Sequence, residues 1–126
     1  MLKILVADDD PEIVEMLEYN LVSEGYEVYC ATDGEEAIEL AQKHLPKLVI
    51  LDVMMPTKDG VEVCEYLRLN KKFQDTVIMM LTARSEDFTQ IACYDNGADD
   101  FISKPIKPKV LLSRINAVLR LSLIHI

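Results

Sequence analysis

The alternation of short apolar runs with helically spaced segments is the feature that most constrains the fold of this chain. The runs at residues 3–7, 48–51 and 76–81 are almost continuously apolar, which is typical of strands buried on both faces of a sheet. Including the weaker runs, we predict five strands, at residues 3–7, 27–31, 48–51, 76–81 and 100–103. Apolar residues at helical spacing predict five helices, at residues 11–24, 35–44, 61–70, 87–96 and 109–120.

Five β-α units in series predict an α/β fold of the doubly wound type. In such a fold a parallel sheet carries helices on both faces, and its crossovers are right-handed. A length of 126 residues corresponds to one domain, which we assign to residues 1–120. Residues 121–126 are apolar and lack a helix cap, so we expect a truncation point or a cloning scar, with a native partner helix as the alternative.

Charge and composition exclude several classes of partner. The chain has 13 Lys and Arg against 22 Asp and Glu, a net charge of −9, which disfavours binding to nucleic acid or to an anionic membrane. No apolar run approaches the roughly 20 residues of a spanning helix, and the N-terminus turns acidic too early for a secretory signal. The three cysteines are widely spaced, which indicates free thiols and a cytoplasmic location.

Polar side chains follow four of the predicted strands, at the sheet edge where doubly wound folds place their sites. They are Asp8 and Asp9 after the first strand, Asp52 after the third, Thr82 after the fourth and Lys104 after the fifth. If the first and third strands are neighbours, the carboxylates converge, and two of them about 4 Å apart repel by about 4 kcal/mol at an effective dielectric near 20. Such a cluster needs a cation, a shared proton or a lysine. A divalent metal, a lysine, a hydroxyl and a nucleophilic carboxylate together indicate phosphoryl transfer.

Simpler roles exist for single residues of this set. Asp10 precedes Pro11, and we assign it mainly to capping the first helix. Capping by Asp52 or Thr82, and plain solvation of Lys104, are the alternatives to a shared site.

The polar motifs, taken in order, resemble those of the response-regulator receiver domain. They are Asp8-Asp9, Asp52, Met54-Met55-Pro56, Asp59-Gly60, Thr82-Ala83, Gly97-Ala98-Asp99-Asp100-Phe101 and Lys104-Pro105. The resemblance covers residues 2 to about 120 and is closest to receivers of the winged-helix transcription-factor subfamily. It implies a flavodoxin-like (βα)5 fold with strand order 2-1-3-4-5. It also implies a cis peptide bond before Pro105.

The resemblance also implies a phosphoacceptor and a metal site. Asp52 would accept phosphate from a sensor histidine kinase. Asp9, Asp52 and the backbone carbonyl of Met54 would bind Mg²⁺ directly, with Mn²⁺ as a substitute. Asp8 would assist through a metal-bound water.

Three further residues acquire roles from the resemblance. Lys104 would pair with the phosphoryl group, and Thr82 would hydrogen-bond to one of its oxygens. Phe101 would be the aromatic side chain that rotates with the phosphorylation state. Such a domain is a signalling switch that catalyses only its own phosphorylation and dephosphorylation, and is otherwise not an enzyme.

The output implied by the resemblance is transcriptional. Phosphorylation would change the face formed by the fourth and fifth helices and control a DNA-binding domain that follows this chain. A phosphorylation-dependent homodimer through that face is a further expectation. Asp99, Asp100 and Arg114 fit the subfamily pattern, whereas residues 88–92 lack the basic side chains that pair across such a dimer.

Three other functions remain as alternatives. A magnesium-dependent phosphatase with an aspartate nucleophile typically has Asp-x-Asp-x-Thr after its first strand, whereas residues 8–12 lack the threonine. A flavin-binding domain would place the cofactor phosphate against three aspartates, which repel it. A phosphorylation-independent interaction module would have no need of the complete acid, hydroxyl and lysine set.

Overall fold

The computed structural model of the chain describes the backbone of residues 2–83 and 95–124 and the side chains of these residues up to Arg120. The strands are β1 Lys3–Ala7, β2 Glu27–Ala31, β3 Leu48–Asp52, β4 Val77–Thr82 and β5 Asp100–Ser103. The helices are α1 Pro11–Ser23, α2 Gly34–His44, α3 Gly60–Leu69, a short 3₁₀ helix Lys71–Phe73 and a C-terminal helix Pro108–Ile124.

These elements match the predicted ones closely, with two informative differences. Asp52 and Thr82 are the last residues of β3 and β4, not the residues after them. The C-terminal helix continues to Ile124, beyond its predicted end at Arg120, because the apolar sequence there contains no helix-breaking residue. Most of the predicted fourth helix, residues 87–96, lies outside the described residues.

The five strands form one parallel sheet in the order β2-β1-β3-β4-β5. This confirms the predicted strand order. In register, Ala7 at the end of β1 pairs with Ala31 on one side and Leu51 on the other. The carboxyl ends of β1 and β3 are therefore adjacent, and the residues that follow them share one edge of the sheet.

Two apolar layers cover the sheet because side chains alternate along each strand. Ile4 and Val6 face the layer formed by α1 and the C-terminal helix, which also contains Leu17 and Ile115. Leu5 and its alternating neighbours face the layer formed by α2 and α3. Every residue of β3 and β4 is buried, as expected for central strands with helices on both faces.

Aspartate caps start three helices at the same edge of the sheet. The Asp10 carboxylate accepts a hydrogen bond from the Glu12 backbone N–H at 3.0 Å, which confirms its predicted role at the start of α1. Asp33 caps α2, and Asp59 forms a capping box with Glu62 at the start of α3. The carboxyl edge of the sheet is thereby lined with fixed helix N-termini.

One further backbone expectation agrees with the structure. The Lys104–Pro105 peptide bond is cis, as the resemblance implies. Gly25, two residues beyond the end of α1, has a φ of 92°, in the region that favours glycine. Among the helices of the described residues, none is both long enough and apolar enough to cross a bilayer.

Candidate functional site

Three carboxylates meet where β1 and β3 end. Asp8 and Asp9 follow β1, Asp52 ends β3, and one oxygen from each lies within 4.8 Å of the others. The parallel register of β1 and β3 produces this convergence, because it brings their carboxyl ends side by side. Oxygen ligands at this spacing are suited to a hard divalent cation.

The three carboxylates differ in their exposure and support. Asp8 is fully buried, Asp52 is 6% exposed and Asp9 is exposed. The Asp8 backbone N–H donates to the Ala31 carbonyl at 3.1 Å, and Asp8 Oδ1 accepts from the Asp10 N–H at 2.9 Å. Asp8 is thus held in place by its neighbours, whereas Asp9 presents its carboxylate to solvent.

Lys104 brings positive charge to the cluster. Its Nζ lies 3.1 Å from Asp8 Oδ2 and 3.3 Å from Asp52 Oδ2. The Lys104 backbone N–H donates to the Thr82 carbonyl at 2.7 Å, which ties the residue after β5 to the end of β4. Lys104 is therefore an ion-pair partner and not a merely solvated cation. Among the described residues, three carboxyl groups therefore share this one ammonium, a formal excess of two acidic groups.

Burial and charge change the acidity of the two central groups. Burial, together with the nearby Asp8 carboxylate, raises the pKa of Asp52 from 3.8 to about 6, although Lys104 acts in the opposite direction. For Lys104, burial lowers the pKa, but hydrogen bonding and charge from Asp8 and Asp52 outweigh it and raise the pKa overall. Near pH 7 these pKa values place an ionised Asp52 beside a protonated Lys104.

Thr82 contributes a hydroxyl with unused hydrogen-bonding capacity. The residue is fully buried at the end of β4, and its Oγ1 has no hydrogen-bond partner among the described residues. A buried hydroxyl without a partner costs about 1–3 kcal/mol. An incoming oxyanion that accepts from this hydroxyl would remove that cost.

The loop from β3 to α3 carries Met54, which is 68% exposed. The loop is closed at its base, because the Gly60 N–H donates to the Val53 carbonyl at 2.8 Å. A Cβ atom on Gly60 would overlap the Asp52 carbonyl oxygen, so α3 begins in direct contact with the Asp52 backbone. The sequence motif contains this glycine, but its support of Asp52 is visible only in the structure.

The remaining predicted residues lie on β5 and beside it. Phe101 is half-buried and packs against the apolar layer of α2 and α3. Its rotation between states stays a prediction. Asp100 and Arg114, which fit the dimer pattern of the subfamily, pair with each other within this chain at 3.2 Å. Residues 88–92, on which that dimer prediction also depends, lie outside the described residues.

Comparison with known proteins decides the family. Residues 4–116 match the family model of the response regulator receiver domain. The chain belongs to this family. It is 47% identical over 120 residues to the alkaline phosphatase synthesis transcriptional regulatory protein PhoP of Bacillus subtilis, an alignment that covers 95% of this chain and 49% of PhoP. The chain thus spans about half the length of this relative, whose similarity confirms the predicted closeness to transcription-factor receivers.

Solved structures agree with this assignment. The chemotaxis response regulator CheY4 of Vibrio cholerae is 35% identical and superposes with a TM-score of 0.89, covering 94% of this chain and 98% of its own. NtrX of Brucella abortus is 27% identical with a TM-score of 0.91, covering 98% of this chain and 28% of its own. The receiver domain is therefore found both as nearly a whole chain and as part of a longer one.

Proposed function

We propose that this receiver domain is a phosphorylation switch in which Asp52 accepts a phosphoryl group from a sensor histidine kinase. The observation that supports the proposal most directly is the position of Asp52, between acidic neighbours and an ammonium. Its carboxylate lies within 4.8 Å of those of Asp8 and Asp9 and 3.3 Å from Lys104 Nζ. A carboxylate that only stabilised the fold would not need to lie beside two further acidic groups at a sheet edge.

The donor set fits Mg²⁺ as the resident ion. All of the candidate ligands are oxygen atoms, and the excess negative charge suits a hard dication. Asp9, Asp52 and the Met54 carbonyl would bind it directly, and Asp8 through a water, with Mn²⁺ as a substitute. When bound, Mg²⁺ supplies positive charge that offsets the charge on the cluster and on the phosphoryl oxygens.

In the transfer step, an Asp52 carboxylate oxygen attacks phosphorus of the kinase phosphohistidine. The new O–P bond forms as the P–N bond breaks, and the imidazole nitrogen leaves with the bonding electrons. Lys104 stabilises the transferring oxygens as a compact point charge. The remaining contribution of the chain is orientation, since β1, β3 and β5 hold these groups on a rigid edge.

The phosphorylated state would then be detected by Thr82. Phosphorylation adds about −1.5 to −2 charge at pH 7. Thr82 Oγ1 would donate to a phosphoryl oxygen and draw the segment after β4 inward, leaving room for Phe101 to turn toward the core. A switch from 1:99 to 99:1 requires about 5.5 kcal/mol of differential stabilisation, which several charge-assisted hydrogen bonds can supply.

The output proposed for this switch is transcriptional control in the cytoplasm. The 47% identity to a transcriptional regulatory protein supports it. The domain, assigned to residues 1–120, would act on a DNA-binding output domain outside these 126 residues, through the fourth and fifth helices and a phosphorylation-dependent homodimer. The phosphatase alternative is not favoured, because the family match covers most of the chain.

Labelling with a small acyl phosphate and Mg²⁺ tests the acceptor. Intact-mass spectrometry should show one added phosphoryl group in the wild type and none in Asp52→Asn. Asp10→Asn is the matched control, since Asp10 is an adjacent acid that caps α1, and it should be labelled normally. Unchanged labelling of Asp52→Asn would refute the assignment.

A further inference from the structure

Thr57, in the loop that carries Met54, has a backbone conformation that its side chain disfavours. Its φ is 64°, in the left-handed region. A β-branched residue rarely adopts this region, which is normally occupied by glycine or asparagine. Such strain persists only where surrounding interactions determine the conformation, and it concentrates at functional sites.

The Thr57 hydroxyl makes two interactions that hold this conformation. Thr57 Oγ1 accepts a hydrogen bond from the Glu35 backbone N–H at 3.0 Å and donates to Asp33 Oδ1 at 3.2 Å. Asp33 also caps α2 by accepting from the Glu36 N–H at 2.9 Å. The hydroxyl thus joins the loop to the N-terminal turn of a helix that already has a fixed start. We call these two hydrogen bonds the Thr57 clasp.

Backbone contacts reinforce the clasp on both sides. The Gly34 N–H donates to the Pro56 carbonyl at 3.2 Å. A Cβ atom on Gly34 would overlap the carbonyl oxygen of Lys58, so loop and helix are in direct contact there. The loop is therefore fixed to α2 at three consecutive residues, 56–58.

The base of the same loop is attached to the sheet. The Val53 N–H donates to the Leu81 carbonyl at 3.0 Å, and the Val53 carbonyl accepts from Gly60 at 2.8 Å. Met54 lies between the attachment to β4 and the attachment to α2. Its own side chain is largely exposed and gives the segment little packing support.

We propose that Thr57 is a positioning residue for the metal site, whose clasp to Asp33 and Glu35 fixes the backbone of the loop that supplies the Met54 carbonyl. The inference rests on the proposed Mg²⁺ ligation by Met54. Partners that orient metal ligands typically contribute about 10-fold to 100-fold to affinity. If Thr57 only stabilised the fold, loss of its hydroxyl would lower the free energy of unfolding and leave the Mg²⁺ affinity unaltered.

Three substitutions at position 57 separate these roles. Thr57→Ser keeps the hydroxyl and should bind Mg²⁺ with the wild-type Kd. Thr57→Val keeps the shape and loses the clasp, so its Kd should rise about tenfold. Thr57→Gly loses the clasp but removes the left-handed strain, so it should fold well and still bind Mg²⁺ more weakly than the wild type. Thr32→Val, at an exposed threonine after β2, is the matched control and should not change the Kd.

Isothermal titration calorimetry of the full chain with MgCl₂ gives the Kd, and urea unfolding in EDTA gives the metal-free stability. Weaker binding by both Thr57→Val and Thr57→Gly, with Thr57→Ser unchanged, supports the proposal. A lower stability of Thr57→Val with the wild-type Kd in both variants would overturn it. If Thr57→Val does not fold, the Mg²⁺ Kd of Thr57→Gly decides alone. Weaker binding supports the proposal, and the wild-type Kd overturns it. Absence of Mg²⁺ binding by the wild type would overturn the proposed metal site and this inference with it.

Discussion

Lys104 Nζ lies 3.3 Å from Asp52 Oδ2, although the two residues come from strand ends that are not neighbours in the sheet. β4 separates β3 from β5, so the lysine reaches across the end of β4, where its own N–H is bonded to the Thr82 carbonyl. The ion pair consequently spans the segment that contains the Thr82 hydroxyl. A phosphoryl group on Asp52 would enter beside both the ammonium and that hydroxyl.

Replacing Lys104 should destabilise the metal-free protein, because it removes the ammonium that pairs with the two buried carboxylates of Asp8 and Asp52. Breaking a buried pair costs about 3–5 kcal/mol, and we expect about 1–3 kcal/mol for Lys104→Met because the lysine side chain is partly exposed. Urea unfolding at neutral pH in EDTA measures the loss. Lys107→Met, at an exposed lysine of the same segment, is the control and should have little effect. Equal stability of the two variants would contradict the structural role given to Lys104.

The raised pKa of Asp52 predicts a pH-dependent gain in stability for Asp52→Asn. The folded state holds this carboxyl at a pKa of about 6 against an ordinary value of 3.8. Folding therefore disfavours ionisation of the Asp52 carboxyl group. The wild type loses stability as pH rises through this window, and the loss is complete above about pH 6.

The difference in unfolding free energy between Asp52→Asn and the wild type measures this effect in EDTA. It should be small near pH 4 and reach at most about 3 kcal/mol in favour of the variant above pH 6. Saturating Mg²⁺ should reduce or reverse the difference, since the ion favours the ionised carboxylate. A difference that does not vary between pH 4 and pH 7 would be inconsistent with the assigned environment of Asp52.

The Thr82 hydroxyl, which has no hydrogen-bond partner within residues 2–83 and 95–120, predicts opposite effects in the resting and activated states. Thr82→Val removes a buried polar group, so we expect unchanged stability or a gain of about 1 kcal/mol without ligand. With Mg²⁺ and beryllofluoride, a phosphoryl mimic, the variant should be stabilised less than the wild type. Thermal unfolding with and without the mimic tests both statements, and Thr82→Ser should behave like the wild type. Full stabilisation of Thr82→Val by the mimic would exclude Thr82 as the contact.

Gly60→Ala should damage both the fold and the site. Its Cβ would overlap the Asp52 carbonyl oxygen, so α3 must move away from β3, at an expected cost of about 3 kcal/mol or more. Gly25→Ala is a useful comparison, because its Cβ would meet nothing within 4 Å and only its φ of 92° opposes the change. We expect about 1–2 kcal/mol there, with Mg²⁺ affinity intact. Similar Mg²⁺ affinity in both variants would show that Gly60 does not support the site.

Local pattern predicted most of the fold. The buried runs of β3 and β4 are apolar because both of their faces are covered, and Asp10 with Pro11 is a strong helix start, so the elements could be located from neighbouring residues alone. The residue types at the strand ends then indicated phosphoryl chemistry, and the order of the motifs indicated the family. The predicted end of the C-terminal helix at Arg120 was wrong, because the sequence contains no stop signal there and the helix continues to Ile124.

Contacts between distant segments were decided only by the tertiary structure. Arg68 donates to the carbonyls of Gly97, Phe73 and Thr76 and pairs with Asp99 at 2.7 Å, although no local pattern around Arg68 indicates these partners. The Thr57 clasp and the contact of Gly60 with Asp52 belong to the same class. The sequence determined which side chains were available at each strand end, since apolar periodicity is a property of neighbouring residues. Which of them touch, and at what distance, depended on the register and packing of elements far apart in the chain.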